Sequence, residues 1–141
     1  MSLGRSRRRD DSGASALELS FIAPGLIFLI FFCIQGALFF YGRSVALQAA
    51  REGVSQLRLA SDQATYDDIS PGVVSNTEQF AIDVGREALL DPVASPSYDD
   101  NAGRVQMTVT GRVITLVPGL DLTVTQSAQG PVERFEGDTG P

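Results

Sequence analysis

The chain has 141 residues, room for one modest domain, with 11 basic residues, all arginine, against 17 acidic ones and a net charge of -6. It holds no histidine and a single cysteine. That removes the commonest general base and metal ligand, and with it intrachain disulfides and thiolate metal sites. The acidic balance argues against a nucleic-acid binder, whose affinity rests on cations neutralising phosphates. An enzyme, a metal site, a cofactor and a small-molecule substrate are not expected.

The charge is graded along the chain. Residues 1–13, with Arg5, Arg7, Arg8 and Arg9, carry a net +2; residues 14–59 carry +1; residues 60–141 carry -9. Between the basic tip and the acidic remainder lies an uncharged run from Leu19 to Gly42, in which only Ser20 and Gln35 are clearly polar. At ~1.5 Å rise per residue this run is long enough to cross a hydrocarbon core roughly 30 Å thick. A chain this short has nothing to bury so apolar a helix on all sides. The run is also too long, and too aromatic at Phe39, Phe40 and Tyr41, for a cleaved secretory signal, so the span is expected to be retained. The basic tip places the N-terminus in the cytoplasm and the rest outside.

Helix continues past the span. Leu47, Ala50, Val54 and Leu57 follow spacings of 3, 4 and 3 on one apolar face, and Ala49, Ala50 and Gly53 are small enough for another helix to approach closely. One helix over about 15–60 is expected, with lipid around its first half and neighbouring subunits against the Leu47 face. Residues 61–141 read as a small α+β head outside the membrane. Ser75-Asn76-Thr77-Glu78 has capping-box spacing and opens an expected helix over 78–90, with Phe80, Ala81, Val84 and Ala88 on one stripe and Pro92 ending it. Residues 91–103 read as a loop. Alternation at Val105, Met107 and Val109 marks a strand, Gly111 a bulge or break. Val113–Val117 resumes the strand, Pro118-Gly119 is a turn, and Leu120, Leu122 and Val124 alternate again. The result is a two- to three-stranded antiparallel sheet. Asp67-Asp68 and Asp99-Asp100-Asn101 read as solvated turns rather than calcium loops. Cys33 reads as a small hydrophobe within the span.

The membrane boundary is the informative site. Glu18 stands one residue before the apolar run, where an ionisable group is costly and points to function. A basic tail, Gly13, Ala14 to Leu17, Glu18 and then a long apolar helix form a prepilin pattern. Gly13-Ala14 is an unhindered bond for a membrane peptidase, and cleavage there leaves Glu18 as the fifth residue. In a bundle that carboxylate pairs with a neighbour's terminal amine. Pro24 interrupts the helix hydrogen-bond ladder by withholding a donor from the Ser20 carbonyl.

These segments resemble the TadE-like pilin family of tight-adherence (Tad/Flp) systems. Gly13-Ala14-Ser15-Ala16-Leu17-Glu18-Leu19 is similar to the family's G-A-x-A-V-E-F processing motif, and Pro24 falls where the family often has proline. Tyr41-Gly42-Arg43 resembles its F-G-R, and Ala49-Ala50-Arg51-Glu52-Gly53 its A-A-R-E-G. Pro131-Val132-Glu133-Arg134-Phe135 is similar to the late part of some members. The resemblance is good over 13–58 and loose beyond. Leu19 stands where an aromatic is usual, and Gln35 where an acid is common. The resemblance implies a minor pilin or pseudopilin of the cytoplasmic membrane. A prepilin peptidase would cut it after Gly13, and it would join other pilin-like subunits and the assembly platform of an adherence pilus. An uncleaved single-pass anchor displaying a small extracytoplasmic binding domain is the alternative.

Overall fold

The computed structural model describes residues 11–133, with side chains from residue 16. Arg5, Arg7, Arg8 and Arg9 of the basic tip and Arg134-Phe135 lie outside the described residues. In chain order the elements are helix α1 (Asp11–Leu57), helix α2 (Gln63–Gly85) and strands β1 (Leu89–Asp99), β2 (Arg104–Val113) and β3 (Leu122–Pro131). The fold is α+β, as its sequence indicates, with the strands in the order β1-β2-β3 as an antiparallel meander. Two compact units divide within α1, at Ile34 and Gln35.

The first unit is the leading part of α1. Apart from Ala23, residues 16–34 are exposed. Pro24 sits inside this helix. A helix bearing Phe21, Ile22, Leu26, Ile27, Phe28, Leu29, Ile30, Phe31 and Phe32 on its surface is not a core helix of a water-soluble unit.

The second unit begins at Gln35. Residues 35–57 of α1 belong to the head and line its core. Val45, Ala46, Ala49, Ala50, Val54 and Leu57 are buried there with Tyr66, Val73 and Ala81 of α2. From the sheet come Leu89, Ala94, Val105, Met107, Val109, Val113 and Val124. On β2 every second residue from Val105 to Val113 is buried, the period-2 pattern of a strand with one face on a core.

Several elements begin or end where sequence pattern did not place them. Helix α2 starts at Gln63, capped by Asp62, whose carboxylate accepts the Thr65 N–H at 2.8 Å. The Ser75–Glu78 pattern therefore lies mid-helix, and Glu78 is used otherwise: its Oε1 accepts the Ala94 N–H of β1 at 3.0 Å. Pro71 is tolerated within α2 on its exposed side. The helix stops at Gly85 rather than continuing to 90, because Arg86 turns to φ 47 and returns its N–H to the Ile82 carbonyl at 2.8 Å.

The expected loop over 91–103 is mostly strand β1. Its two prolines, Pro92 and Pro96, are allowed because β1 is an edge strand. A bulge between Leu90 and Val93, with Asp91 at φ 48, lies next to Pro92. Gly111, expected to interrupt its strand, is paired in register with Val124. Its missing side chain makes room instead: a Cβ there would stand 2.6 Å from Leu89 Cδ1. Strand β2 ends at Val113, four residues short of the expected Val117.

The end of the head is fastened to the end of α1. Arg58 donates Nε–H to the Pro131 carbonyl at 2.9 Å, and its own carbonyl accepts the Glu133 N–H at 3.0 Å. The Arg58 and Glu133 side chains pair at 3.4 Å. Both are substantially exposed, so the ion pair adds ~0–1 kcal/mol, and the backbone bonds set the geometry.

Candidate functional site

The motif residues fall into two groups. The first lies at the start of α1. Gly13 and Ala14 are helical in backbone, within the first turn after Asp11. Helix therefore includes the Gly13-Ala14 bond, ahead of the start expected near Ser15. Glu18 is exposed one turn further on, ahead of the apolar stretch, as are Leu17 and Leu19. Cys33 is a free, exposed thiol near the end of that stretch. Within Ala16–Leu57 a window of mean hydropathy 2.4 makes this the one described helix long and apolar enough to cross a membrane.

The second group lies in the head part of α1. Gly42, Ala46, Ala49, Ala50 and Gly53 recur at three- and four-residue spacings and are all buried. Their smallness admits the chain's own strands and α2. A Cβ on Gly42 would stand 2.8 Å from Val113 Cγ2. One on Gly53 would stand 2.7 Å from Thr77 Oγ1 and 2.9 Å from Met107 Cε. So the Tyr41-Gly42-Arg43 and Ala49-Ala50-Arg51-Glu52-Gly53 segments place small residues inward, while Arg43, Arg51 and Glu52 are exposed.

This corrects one expectation. Ala50, Val54 and Leu57, expected to receive another subunit, are buried in this chain's own core; only Leu47 retains partial exposure. Apolar periodicity identifies a face that must be covered but does not say by which chain. The outward face of α1 in this stretch is polar: Gln48 donates to Ser44 and Gln56 to Glu52, both one turn apart.

Gln35 holds the segment that follows β2. From within the apolar run its Oε1 accepts the Leu116 N–H at 2.8 Å, and its Nε2 donates to the Ile114 carbonyl at 3.4 Å. One amide thus takes the donor and the acceptor that a continuing strand would have used, and β2 ends there. The signal was present as a lone amide among apolar residues, but its partners lie about eighty residues away in sequence.

Electrostatics elsewhere in the head are structural. Arg112 pairs with Asp91 beside the β1 bulge, which raises its pKa. Burial, with Asp67 nearby, pushes the Tyr66 phenol up. Asp99 accepts the Ala102 N–H at 3.0 Å and so shapes the β1–β2 turn. The outward face of the sheet is uncharged through its middle, with Thr108 bonded to Ser127 at 2.8 Å and Thr110 to Thr125 at 3.0 Å.

The family of TadE-like proteins matches residues 13–55, a stretch that runs from the Gly13-Ala14 bond through Gly53. No curated protein and no solved structure matches the chain.

Proposed function

We propose that this chain, TadE-like through residues 13–55, is a membrane-anchored minor pilin or pseudopilin of a tight-adherence system, cleaved after Gly13 by a prepilin peptidase. The observation that carries the reading is the pairing of one exposed, apolar helix with a carboxylate, Glu18, immediately before its apolar stretch. Such a helix needs lipid before assembly and apolar neighbours after it. The N-terminal tip stays in the cytoplasm and the head lies outside.

The residues divide the work. Gly13 and Ala14 present the scissile bond, ahead of Glu18 and the apolar stretch. After cleavage Ala14 carries a free amine and Glu18 lies one turn along. In a bundle of such helices the Glu18 carboxylate meets a neighbour's terminal ammonium, which neutralises a charge that lipid would otherwise exclude and sets the axial register. Pro24 loosens the helix near its cytoplasmic end. The protein is a substrate of the peptidase and a structural subunit; its partners are other pilin-like chains and the assembly platform.

The test is the intact mass of the protein from host membranes, with the prepilin peptidase present and absent. The expected result is a peptidase-dependent species beginning at Ala14. A species beginning at residue 1 or 2 under both conditions overturns the reading and leaves an uncleaved anchor displaying the head. Gly13→Ala is expected to block processing, and Glu18→Ala to leave processing intact while abolishing incorporation into a filament.

A further inference from the structure

The segment that follows β2, Ile114 to Leu120, is uncharged and runs up to Asp121. It is not strand, and its apolar side chains are not in the core: Leu116 is 41% exposed, Val117 52% and Leu120 41%. The exposure is built in. Thr115 Oγ1 donates to the Leu120 carbonyl at 2.7 Å, and the Leu120 N–H returns to the Val117 carbonyl at 3.2 Å. Gly119, at φ +80 with nothing near its Cβ position, makes the turn. The tip is a braced loop that holds three apolar side chains outward.

Its position is set by Gln35, which grips Ile114 and Leu116 from inside the uncharged run of α1. A span of about 20 residues starting at Leu19 reaches residue 38, so Gln35 lies within its outer end. Phe40 and Tyr41 follow directly and are exposed; the Tyr41 hydroxyl donates to the Val84 carbonyl at 3.1 Å. Aromatics of this kind concentrate at membrane–water interfaces. Backbone of irregular shape is excluded from the hydrocarbon itself. The headgroup–acyl boundary suits it, since water still reaches the remaining peptide groups.

We propose that the Ile114–Leu120 loop is a second membrane contact, with Leu116, Val117 and Leu120 inserted at the boundary of the outer leaflet beside the end of the span. The inference rests on the membrane-spanning reading of α1. The occupant is lipid rather than protein because the loop is bonded to a residue of the span, at a depth where lipid is the surrounding medium.

The experiment uses the full chain in vesicles of phosphatidylcholine with one quarter phosphatidylglycerol. In a Cys33→Ser background, single cysteines at Val117 or Leu120 are labelled with nitrobenzoxadiazole. Phe28→Cys serves as the span control and Thr125→Cys as the outer-sheet control. Lipids carry doxyl quenchers at acyl position 5 or 12. The probes at 117 and 120 are expected to shift to the blue and to lose more emission to the position-5 quencher than to the position-12 quencher, while the probe at 125 is unaffected. Emission at 117 and 120 matching that at 125, with the probe at 28 quenched, overturns the proposal and leaves the span standing. No quenching at 28 overturns the span itself. A blue shift at 117 without doxyl quenching, growing with protein density, means that a second protein chain covers the loop and also overturns the proposal.

Discussion

Gly53 on α1 faces Thr77 on α2 so closely that a Cβ at position 53 would stand 2.7 Å from the Thr77 hydroxyl oxygen. Met107 closes the same space from β2 at 2.9 Å. Three elements therefore converge on a point with no room for a side chain. Gly53→Val is expected to destabilise the head by about 1–3 kcal/mol through overpacking, read as a fall in the thermal midpoint of the full chain in detergent. Helix propensity alone would make the substitution mildly favourable, so an unchanged or raised midpoint would show that the crossing is looser than these distances require.

The same crossing shows what the sequence could and could not convey. The spacing of Leu47, Ala50, Val54 and Leu57 identifies an apolar face, and the apolar run identifies a helix long and apolar enough to cross a membrane. Both are local patterns with a fixed period. That the face is covered by the chain's own sheet depends on Val113, Met107 and Gly130 arriving from up to about eighty residues away. Strand β1 is not legible in the sequence because a stretch holding Pro92 and Pro96 has the composition of a loop, and only the order of strands reveals that β1 is an edge where they are tolerated. Helix α2 begins ahead of the expected start because Asp62 supplies one cap, and Ser75 opens only a second cap pattern within the helix. The second is disarmed by Glu78 bonding to Ala94, a tertiary contact.

Thr77 is fully buried, and its Oγ1 has no hydrogen-bond partner among the described residues. A buried hydroxyl without a partner costs about 1–3 kcal/mol, and replacing it with an apolar group of the same shape removes that cost. Thr77→Val is therefore expected to raise the unfolding midpoint. Thr77→Ala, which opens a cavity beside Gly53, is expected to gain less. A drop for both variants would mean that the hydroxyl is paired in solution, with a water molecule for example.

Gln35 supplies both a donor and an acceptor to the loop backbone, and no carboxylate does both at neutral pH. Gln35→Leu removes both hydrogen bonds, a loss of about 0.5–1.5 kcal/mol for each. Gln35→Glu keeps the acceptor for Leu116 but turns a carboxylate oxygen toward the Ile114 carbonyl. Hydrogen exchange at the Leu116 amide is expected to speed up markedly in Gln35→Leu and much less in Gln35→Glu. Equal exchange in all three proteins would show that the loop is held without Gln35.

Asp62 caps α2, and the Thr65 N–H and hydroxyl hold its carboxyl below the usual carboxylate range. With the folded pKa below the unfolded one, the folded state binds the proton less readily. The stabilisation is then complete above the ordinary aspartate value, about pH 4, and is lost as pH falls through the lower folded value. Fraying of the first turn of α2 is expected only in that acid window, seen as faster hydrogen exchange at the Thr65 amide. Asp62→Asn keeps a capping oxygen without a titrating group, so in that variant the acid-dependent acceleration at Thr65 should vanish while the helix start stays put. If the acceleration persists in Asp62→Asn, another carboxylate of this acidic head governs the acid response, and the cap is not its source.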